Sequence, residues 1–221
     1  MRIKRIQSIA ALALIVSCVA VAPAGAGVVS NTGAFATDDE QRSFLFTVVI
    51  PGVVTMQSWG YGGGVNGAGT TIPAGGFATN LTLFDAAAPQ NKIAEDTLGG
   101  TPPSDCAPRN IDSDMGQCLD AYLSVALTPG SYILVLTQQG NPSAGPTLSD
   151  GFLAAGSGDF TGGPFLDPFG NPRTGDFAVD ISSDALQTPE PGAAGLVLPA
   201  VVLGLFWRRK ISSLGSAAGR R

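Results

Sequence analysis

The residues with the clearest chemical potential lie in one acidic loop, APRNIDSDMGQCLD at Ala107–Asp120. Asn110, Asp112 and Asp114 alternate along this loop, and Asp120 ends it. Oxygen ligands at every second residue can converge on one hard cation, so these four residues form a candidate calcium site. The alternative is a solvated acidic loop without metal. The glycine comes one place later than an EF-hand requires, and no Glu occupies the twelfth position.

The chain contains no histidine. This excludes Ser-His-Asp and Cys-His catalysis, haem ligation by histidine and zinc sites that contain histidine. Hydrolysis of glycosidic bonds by a pair of carboxylates stays open, because that reaction needs only two acids at a suitable separation. No acid is marked by the sequence as buried, so we expect no catalytic residues. The best binding candidate is Trp59-Gly-Tyr61 in a glycine-rich loop, where an aromatic ring can stack on a sugar.

The N-terminus has the pattern of a secretory signal peptide. Met-Arg-Ile-Lys-Arg precedes an apolar run from Ile6 to Val21, and small residues follow as far as Ala24-Gly-Ala26. A basic start, an apolar run and an Ala-x-Ala site predict a signal peptide at residues 1–26, removed by signal peptidase. Two alternatives remain open. One is a membrane helix that is retained, and the other is lipoprotein processing with acylation of Cys18.

Two cysteines, Cys106 and Cys118, remain after such a cleavage. In an exported domain a pair this close most often forms a disulfide, and two free buried thiols are the alternative. The chain-entropy estimate for a closed loop of about 13 residues is about 3 kcal/mol of stabilisation. The sequence therefore predicts a Cys106–Cys118 disulfide.

Charge separates the middle of the chain from its ends. All 17 acidic residues lie between Asp38 and Glu190, a stretch with only four Lys or Arg, which gives it a net charge of −13. A surface this negative repels the phosphate backbone of nucleic acids, so we do not expect nucleic acid as a partner. Sugars and cations remain compatible with it.

Short apolar runs separated by Gly and Pro fill this middle region, and none keeps a helical period over three turns. The runs with alternating apolar residues predict strands at Ser43–Ile50, Val53–Trp59, Thr79–Asp85, around Ile93, Ala121–Leu127, Ser131–Gln138 and Asp176–Ser182. Turn residues at Pro51-Gly52 and Thr128-Pro-Gly130 predict that the strands on either side of each turn pair with each other. The predicted fold class is all-β, a single antiparallel β-sandwich or jelly-roll-like domain at residues 27–187.

The C-terminal stretch TPEPGAAGLVLPAVVLGLFWRRK, Thr188–Lys210, has a different composition. Its 16 uncharged residues, Gly192–Trp207, span about 24 Å as a helix, against a hydrocarbon core of roughly 30 Å. The cations Arg208, Arg209 and Lys210 extend this reach by snorkelling and set their end on the cytoplasmic side. The sequence predicts a transmembrane helix within residues 188–210 and a basic cytoplasmic tail at 211–221.

Pro189, Glu190 and Pro191, followed by the apolar run and the Arg208-Arg209-Lys210 cluster, resemble the PEP-CTERM sorting signal of Gram-negative bacteria. In that family the signal holds an exported protein in the inner membrane until an exosortase acts near the motif, and the products are associated with exopolysaccharide. The resemblance implies signal peptidase and exosortase as processing enzymes, transient contact with the inner membrane, and a final location at the cell surface or outside the cell. Eleven residues follow the cation cluster, more than is usual, so a permanent membrane anchor is the alternative.

The middle of the chain is similar to a group of exosortase-sorted proteins that in turn resembles the bacterial pre-peptidase C-terminal β-sandwich. The similarity lies in LTLFD, DAYLSVALTPGSYILVLTQ and RTGDFAVDI, and it covers about Asp38 to Ile181. It implies a non-catalytic binding or structural domain, sometimes associated with calcium. The sequence thus predicts a surface or matrix protein that binds polysaccharide or Ca²⁺. A secreted, carboxylate-dependent, glycan-acting enzyme is the alternative.

Overall fold

The computed structural model describes residues 27–97 and 106–187. In these residues nearly all regular structure is β-strand, which confirms the predicted all-β class. The ten strands are β1 (Gly27–Ala34), β2 (Gln41–Val48), β3 (Gly52–Ser58), β4 (Gly64–Val65), β5 (Thr71–Ile72), β6 (Thr79–Asp85), β7 (Lys92–Asp96), β8 (Tyr122–Leu127), β9 (Gly130–Gln138) and β10 (Asp176–Ser183).

The predicted signal peptide (1–26), sorting signal (188–210) and tail (211–221) lie outside the described residues. Among the residues that are described, no helix has the length and apolar character needed to cross a membrane.

Two four-stranded antiparallel sheets form the body of the domain. Sheet A has the strand order β1-β10-β3-β8, and sheet B has the order β2-β9-β6-β7. Strands β4 and β5 form a separate small hairpin. Alternate residues of each sheet face a shared apolar core, as in a β-sandwich. That core takes Met56 and Ile181 from sheet A and Leu83 and Leu134 from sheet B.

An aromatic cluster fills one part of this core. The ring of Phe35 lies 5.1 Å from that of Phe77 and 5.2 Å from that of Phe177, and Phe165 lies 5.4 Å from Phe77. Offset and tilted rings at these centroid distances add to the stabilisation from burial alone. The cluster therefore ties the segment after β1 and the loop before β10 to the sandwich.

The predicted strands are confirmed, but the predicted pairing across the two turns is wrong. β2 pairs with β9, whereas β3 pairs with β8 and β10, so the chain changes sheets at Pro51-Gly52. It also changes sheets at Thr128-Pro-Gly130, between β8 and β9. The first change has a visible cause. After Val48 the chain does not fold back along β2. Its backbone bonds instead to the segment after β10, where the Val49 amide donates to the Ala185 carbonyl at 2.8 Å.

Strand β1 is not predicted by the sequence. Gly27–Ala34 has two adjacent valines followed by small and polar residues, so it lacks apolar alternation. All eight of its residues pair with β10, about 150 positions later in the chain. Its strand conformation therefore depends on a partner that local sequence does not reveal.

The outer faces of the two sheets differ. On sheet B, Phe152 from the long segment after β9 packs on Phe84 and Val135 and covers the part of the sheet formed by β6 and β9. On sheet A, Val53 and Ser124 are exposed. The outer face of sheet A is therefore open at β3 and β8.

Two leucines give a matched test of this arrangement. Leu134 on β9 is fully buried, whereas Leu45 on β2 is 72% exposed. We expect Leu134→Ala to lower the free energy of unfolding by about 2–5 kcal/mol, because it leaves a cavity in the core. Leu45→Ala should change it by less than about 0.5 kcal/mol. Denaturant titration of both variants measures this, and equal losses would contradict the assignment of the two faces.

Candidate functional site

A groove of about 250 Å³ lies on the outer face of sheet A. Its floor consists of Thr55 and Gln57 from β3 and Asp180 and Ser182 from β10. Because Gln57 lies opposite Asp180 and Thr55 opposite Ser182 in the antiparallel register, these four side chains point to the same face. Trp59, which directly follows β3, borders the groove together with Val28 of β1 and the turn of the β4–β5 hairpin.

Asp180 holds this border in place. Its buried carboxylate accepts hydrogen bonds from Ser30 Oγ at 2.5 Å, from the Trp59 indole N–H at 2.7 Å and from the Gly67 amide at 2.6 Å. A carboxylate removed from water is stable only if such donors replace the lost hydration. The orientation of the Trp59 ring is therefore fixed before any ligand arrives.

Two glycines, Gly64 and Gly67, allow the β4–β5 hairpin to lie close to Trp59 and to β1. A Cβ at Gly67 would collide with Val28, and a Cβ at Gly64 would collide with Asn110 and come within 3.1 Å of the Trp59 ring. Gly64 also has φ +137°, a conformation that other residues rarely adopt. The hairpin thus packs directly on Trp59 and on β1.

Polar atoms in the groove remain available for a ligand. The Gln57 side-chain oxygen accepts no hydrogen bond from the described residues, and its amide nitrogen makes only a long contact of 3.5 Å to the Pro108 carbonyl. The Asn66 side-chain oxygen is bonded to the Thr70 amide at 2.8 Å, while its nitrogen has no partner among the described residues. A fixed aromatic ring beside such groups is typical of a site for a small polar molecule.

Two larger cavities are less suitable because their polar groups bond to each other. In a cavity of about 440 Å³ next to Phe160, the Gln138 side-chain oxygen accepts from the Gly140 amide at 2.5 Å. In a cavity of about 530 Å³ at the turn between β8 and β9, the Tyr132 hydroxyl donates to the Thr128 carbonyl at 2.8 Å. We therefore regard the groove on sheet A as the candidate site.

Of the predicted binding pair, only Trp59 reaches the groove. Tyr61 is fully buried, with the Arg173 guanidinium 3.9 Å from its ring centroid. Its hydroxyl donates to Asp167 at 3.0 Å. Burial, and then this hydrogen bond, raise the pKa of Tyr61 above its ordinary value. Tyr61 therefore supports the loop that carries Trp59 and does not contact a ligand.

Partners within the protein hold three of the four predicted calcium ligands. The Asn110 side-chain nitrogen donates to the Gly63 carbonyl at 2.6 Å, and Asp112 forms an ion pair with Arg173 at 2.6 Å. Asp120 accepts from Ser58 Oγ at 2.9 Å and from the amides of Tyr61 and Gly62 at 3.1 and 2.7 Å, whereas Asp114 is exposed. The described residues contain no group of three or more His, Cys, Asp or Glu placed to hold a metal. Calcium binding stays a prediction.

The predicted Cys106–Cys118 disulfide is present, with its Cα atoms 5.6 Å apart. It joins the two ends of the acidic loop. Within the loop, Asp112 Oδ1 accepts from the amides of Asp114 and Met115 at 2.8 and 3.0 Å. The loop is thus closed by a covalent bond and shaped by one carboxylate.

The sequence gives no indication of the residue that anchors this loop, Arg173. Its side chain is 6% exposed and that of Asp112 is 3% exposed. Arg173 also donates to the carbonyls of Tyr61 and Gly76, at 3.0 and 3.1 Å. One guanidinium therefore connects three segments that are far apart in the chain.

The pKa values of the two buried carboxylates in this region, Asp112 and Asp120, are shifted in opposite directions. Burial tends to raise the pKa of Asp112, but hydrogen bonds from Arg173 and from two amides outweigh it and hold the pKa below its ordinary value. At Asp120 burial dominates and raises the pKa, despite hydrogen bonds from the amides of Gly62 and Tyr61 and from Ser58.

Neither a protein-family model nor a curated protein matches this chain.

The Asp112–Arg173 ion pair predicts a pH-dependent contribution to stability. Asp112→Asn leaves a buried guanidinium without its counter-charge, so the free energy of unfolding should fall by about 3 kcal/mol at pH 7. Because the folded-state pKa of Asp112 is lowered, its contribution is full above the ordinary carboxyl pKa of about 3.9 and is lost as pH falls below it.

The difference in the free energy of unfolding between the wild type and Asp112→Asn should therefore narrow as the pH falls below about 4, as measured by denaturant titration at each pH. Asp114→Asn, an exposed neighbour in the same loop, is the matched control and should change stability by less than about 0.5 kcal/mol. A difference that stays constant with pH would contradict this role of Asp112.

Proposed function

We propose that this chain is an exported, non-catalytic surface or matrix protein whose sandwich binds a glycan in the Trp59 groove. The observation that carries the proposal is the Trp59 ring, fixed by Asp180 beside the Gln57 side chain, whose oxygen accepts no hydrogen bond from the described residues. A sugar has apolar C–H faces and a rim of hydroxyl groups. An aromatic surface next to amide and hydroxyl groups matches both parts of such a ligand.

The strand order supports the predicted jelly-roll architecture. If the β4–β5 hairpin is left out and the eight long strands are numbered along the chain, sheet A reads 1-8-3-6 and sheet B reads 2-7-4-5. This is the order of two sheets wound as a jelly roll, an architecture shared by many lectin domains. It agrees with the proposed relation to the pre-peptidase C-terminal sandwich, and fold alone does not identify a ligand.

The chemistry of the groove supports binding without catalysis. Asp180 supplies the carboxylate among the residues that line it, and three donors already occupy this group. A glycosidase of the usual kind needs a second carboxylate across the scissile bond.

The sequence patterns at the two ends of the chain support export and sorting. A basic start, an apolar run and the Ala24-Gly-Ala26 site have the form of a secretory signal peptide. Near the other end, Pro189-Glu190-Pro191 is followed by an uncharged apolar run and by the Arg208-Arg209-Lys210 cluster. We propose that signal peptidase removes residues 1–26 and that an exosortase in the inner membrane acts near Pro189-Glu190-Pro191, which releases the domain to the cell surface or exterior.

Binding is tested by removing the aromatic ring. On an array of bacterial and plant glycans, the full-length protein should bind at least one polysaccharide, and Trp59→Ala should weaken that binding at least about tenfold, because the stacking surface is lost. Phe169→Ala, which removes an exposed aromatic ring outside the groove, should leave binding unchanged. No binding to any glycan, or equal binding by the wild type and Trp59→Ala, would contradict the proposal.

Processing is tested by mass spectrometry of the mature protein from its native host. We expect an N-terminus at Gly27 and a C-terminus near Glu190. An intact Arg221 would refute removal of the sorting signal and would favour the permanent anchor.

A further inference from the structure

We infer that one end of the sandwich rests on the lipid bilayer while the chain is held in the membrane. This end consists of the two turns at residues 49–53 and 128–130, and we refer to it as the apolar end. The inference rests on the proposed function, since it concerns the stage before the exosortase acts. It adds an interaction surface and a lipid partner.

The register of the strands brings the two turns together. Val48 at the end of β2 lies opposite Gly130, where β9 begins. Gly52 at the start of β3 lies opposite Leu127, where β8 ends. Both turns are therefore at the same end of the sandwich.

The exposed side chains at this end are apolar. Val49, Ile50 and Val53 are 49%, 54% and 57% exposed, and Pro51 and Pro129 are exposed as well. The two turns and the strand residues next to them contain no charged residue. Single exposed apolar residues are common on proteins, but a group of neighbouring ones marks a surface that binds a partner or a membrane.

Acidic residues border the strands at the opposite end. Asp39 and Glu40 precede β2, Asp120 precedes β8, and β10 begins at Asp176. A membrane surface with anionic lipids repels that end, so the apolar end is the one that can approach the bilayer. One exposed acid, Asp184, follows β10 beside the apolar end, and it favours contact with zwitterionic headgroups.

Both predicted membrane segments are joined to the domain at the apolar end. Gly27, where β1 begins, lies opposite Ser183, and the Ser183 hydroxyl donates to the Val53 carbonyl at 2.7 Å. The Gln187 amide donates to the Thr47 carbonyl at 3.1 Å. The N-terminal and C-terminal apolar runs of the sequence are thus connected to the domain beside the same exposed apolar residues.

The C-terminal connection is short enough to hold this end at the membrane. Four residues separate Gln187 from Gly192, where the apolar run begins, so these two residues are at most about 18 Å apart. Ile50 comes three residues after Thr47, the partner of Gln187, and that stretch spans at most about 11 Å. The apolar end can therefore reach the point where the run enters the bilayer. Because a short tether gives a millimolar effective concentration, weak insertion of a few apolar side chains suffices for contact.

The test uses the full-length protein reconstituted into phosphatidylcholine vesicles, with Cys18→Ser as the background. Ile50→Cys carries an environment-sensitive fluorophore at the apolar end, and Phe169→Cys carries the same fluorophore as the matched control. Phe169 is exposed near the opposite end, because Asp167 accepts from its amide and from the hydroxyl of Tyr61, which lies beyond the end of β3.

Brominated phosphatidylcholine then replaces the ordinary lipid, and bromine quenches fluorophores that contact the acyl chains. The emission of the Ile50→Cys label should fall at least about twofold, whereas that of the Phe169→Cys label should change by less than about a tenth. Flotation of the vesicles measures in parallel whether the protein is held in the membrane.

A second pair of variants tests whether Ile50 makes the contact. With the fluorophore on Val53→Cys, Ile50→Asp should abolish the quenching, because a charged side chain does not enter the acyl region. Leu153→Asp, which changes an exposed apolar residue in the segment after β9, should leave the quenching unchanged. Equal melting temperatures of these variants and the wild type show that the fold is intact.

The outcomes separate the inference from the proposed function. If the protein floats with the vesicles but the Ile50→Cys label is not quenched, the lipid contact is overturned and the membrane-held stage still stands. A blue-shifted emission of that label without quenching also overturns it, because another part of the chain or a second copy then covers the apolar end. Protein that does not float with the vesicles overturns the membrane-held stage of the proposed function as well.

Discussion

The groove depends on a single buried carboxylate, that of Asp180. Its three donors come from β1, from the residue that follows β3 and from the β4–β5 turn, so they belong to three separate parts of the chain. The cost of an unsatisfied buried charge is much larger than the gain from any one of these hydrogen bonds. The edge strand, the Trp59 ring and the hairpin are therefore held together as one unit, and the groove is formed in advance of binding.

The same chemistry organises the long loops. Asp38 accepts from the amides of Thr161 and Phe165 at 3.0 and 2.6 Å, and Asp167 accepts from the amides of Phe169 and Asn171, each at 2.9 Å. Loop amides have no ladder partner, and carboxylates supply acceptors for them. The sequence suggests that the acidic residues form a charged surface. Some of their carboxylates instead accept hydrogen bonds inside the protein, where they give order to glycine-rich loops.

Apolar alternation was sufficient to predict the long strands other than β1, since a period of two depends only on local sequence. It did not predict which strands pair, because the change of sheet after Val48 depends on Ala185, far along the chain. The alternation of Asn110, Asp112 and Asp114 fits a calcium loop and also fits a loop shaped by one carboxylate. Arg173, distant in sequence, decides how Asp112 is used here.

The sequence singles out Trp59 and Tyr61 in a glycine-rich loop as binding candidates; Trp59 borders the groove, whereas Tyr61 is buried. Asp180, which orients Trp59, lies inside the apolar strand DFAVDIS and has no local feature that marks it. The central claim is that this fixed ring and the polar side chains of sheet A form the glycan site. The most direct measurement is an NMR titration of the full-length protein with the best-binding oligosaccharide. The account predicts shifts of the Trp59 indole N–H and the Gln57 side-chain amide. Shifts confined to the loops that cover sheet B would contradict it.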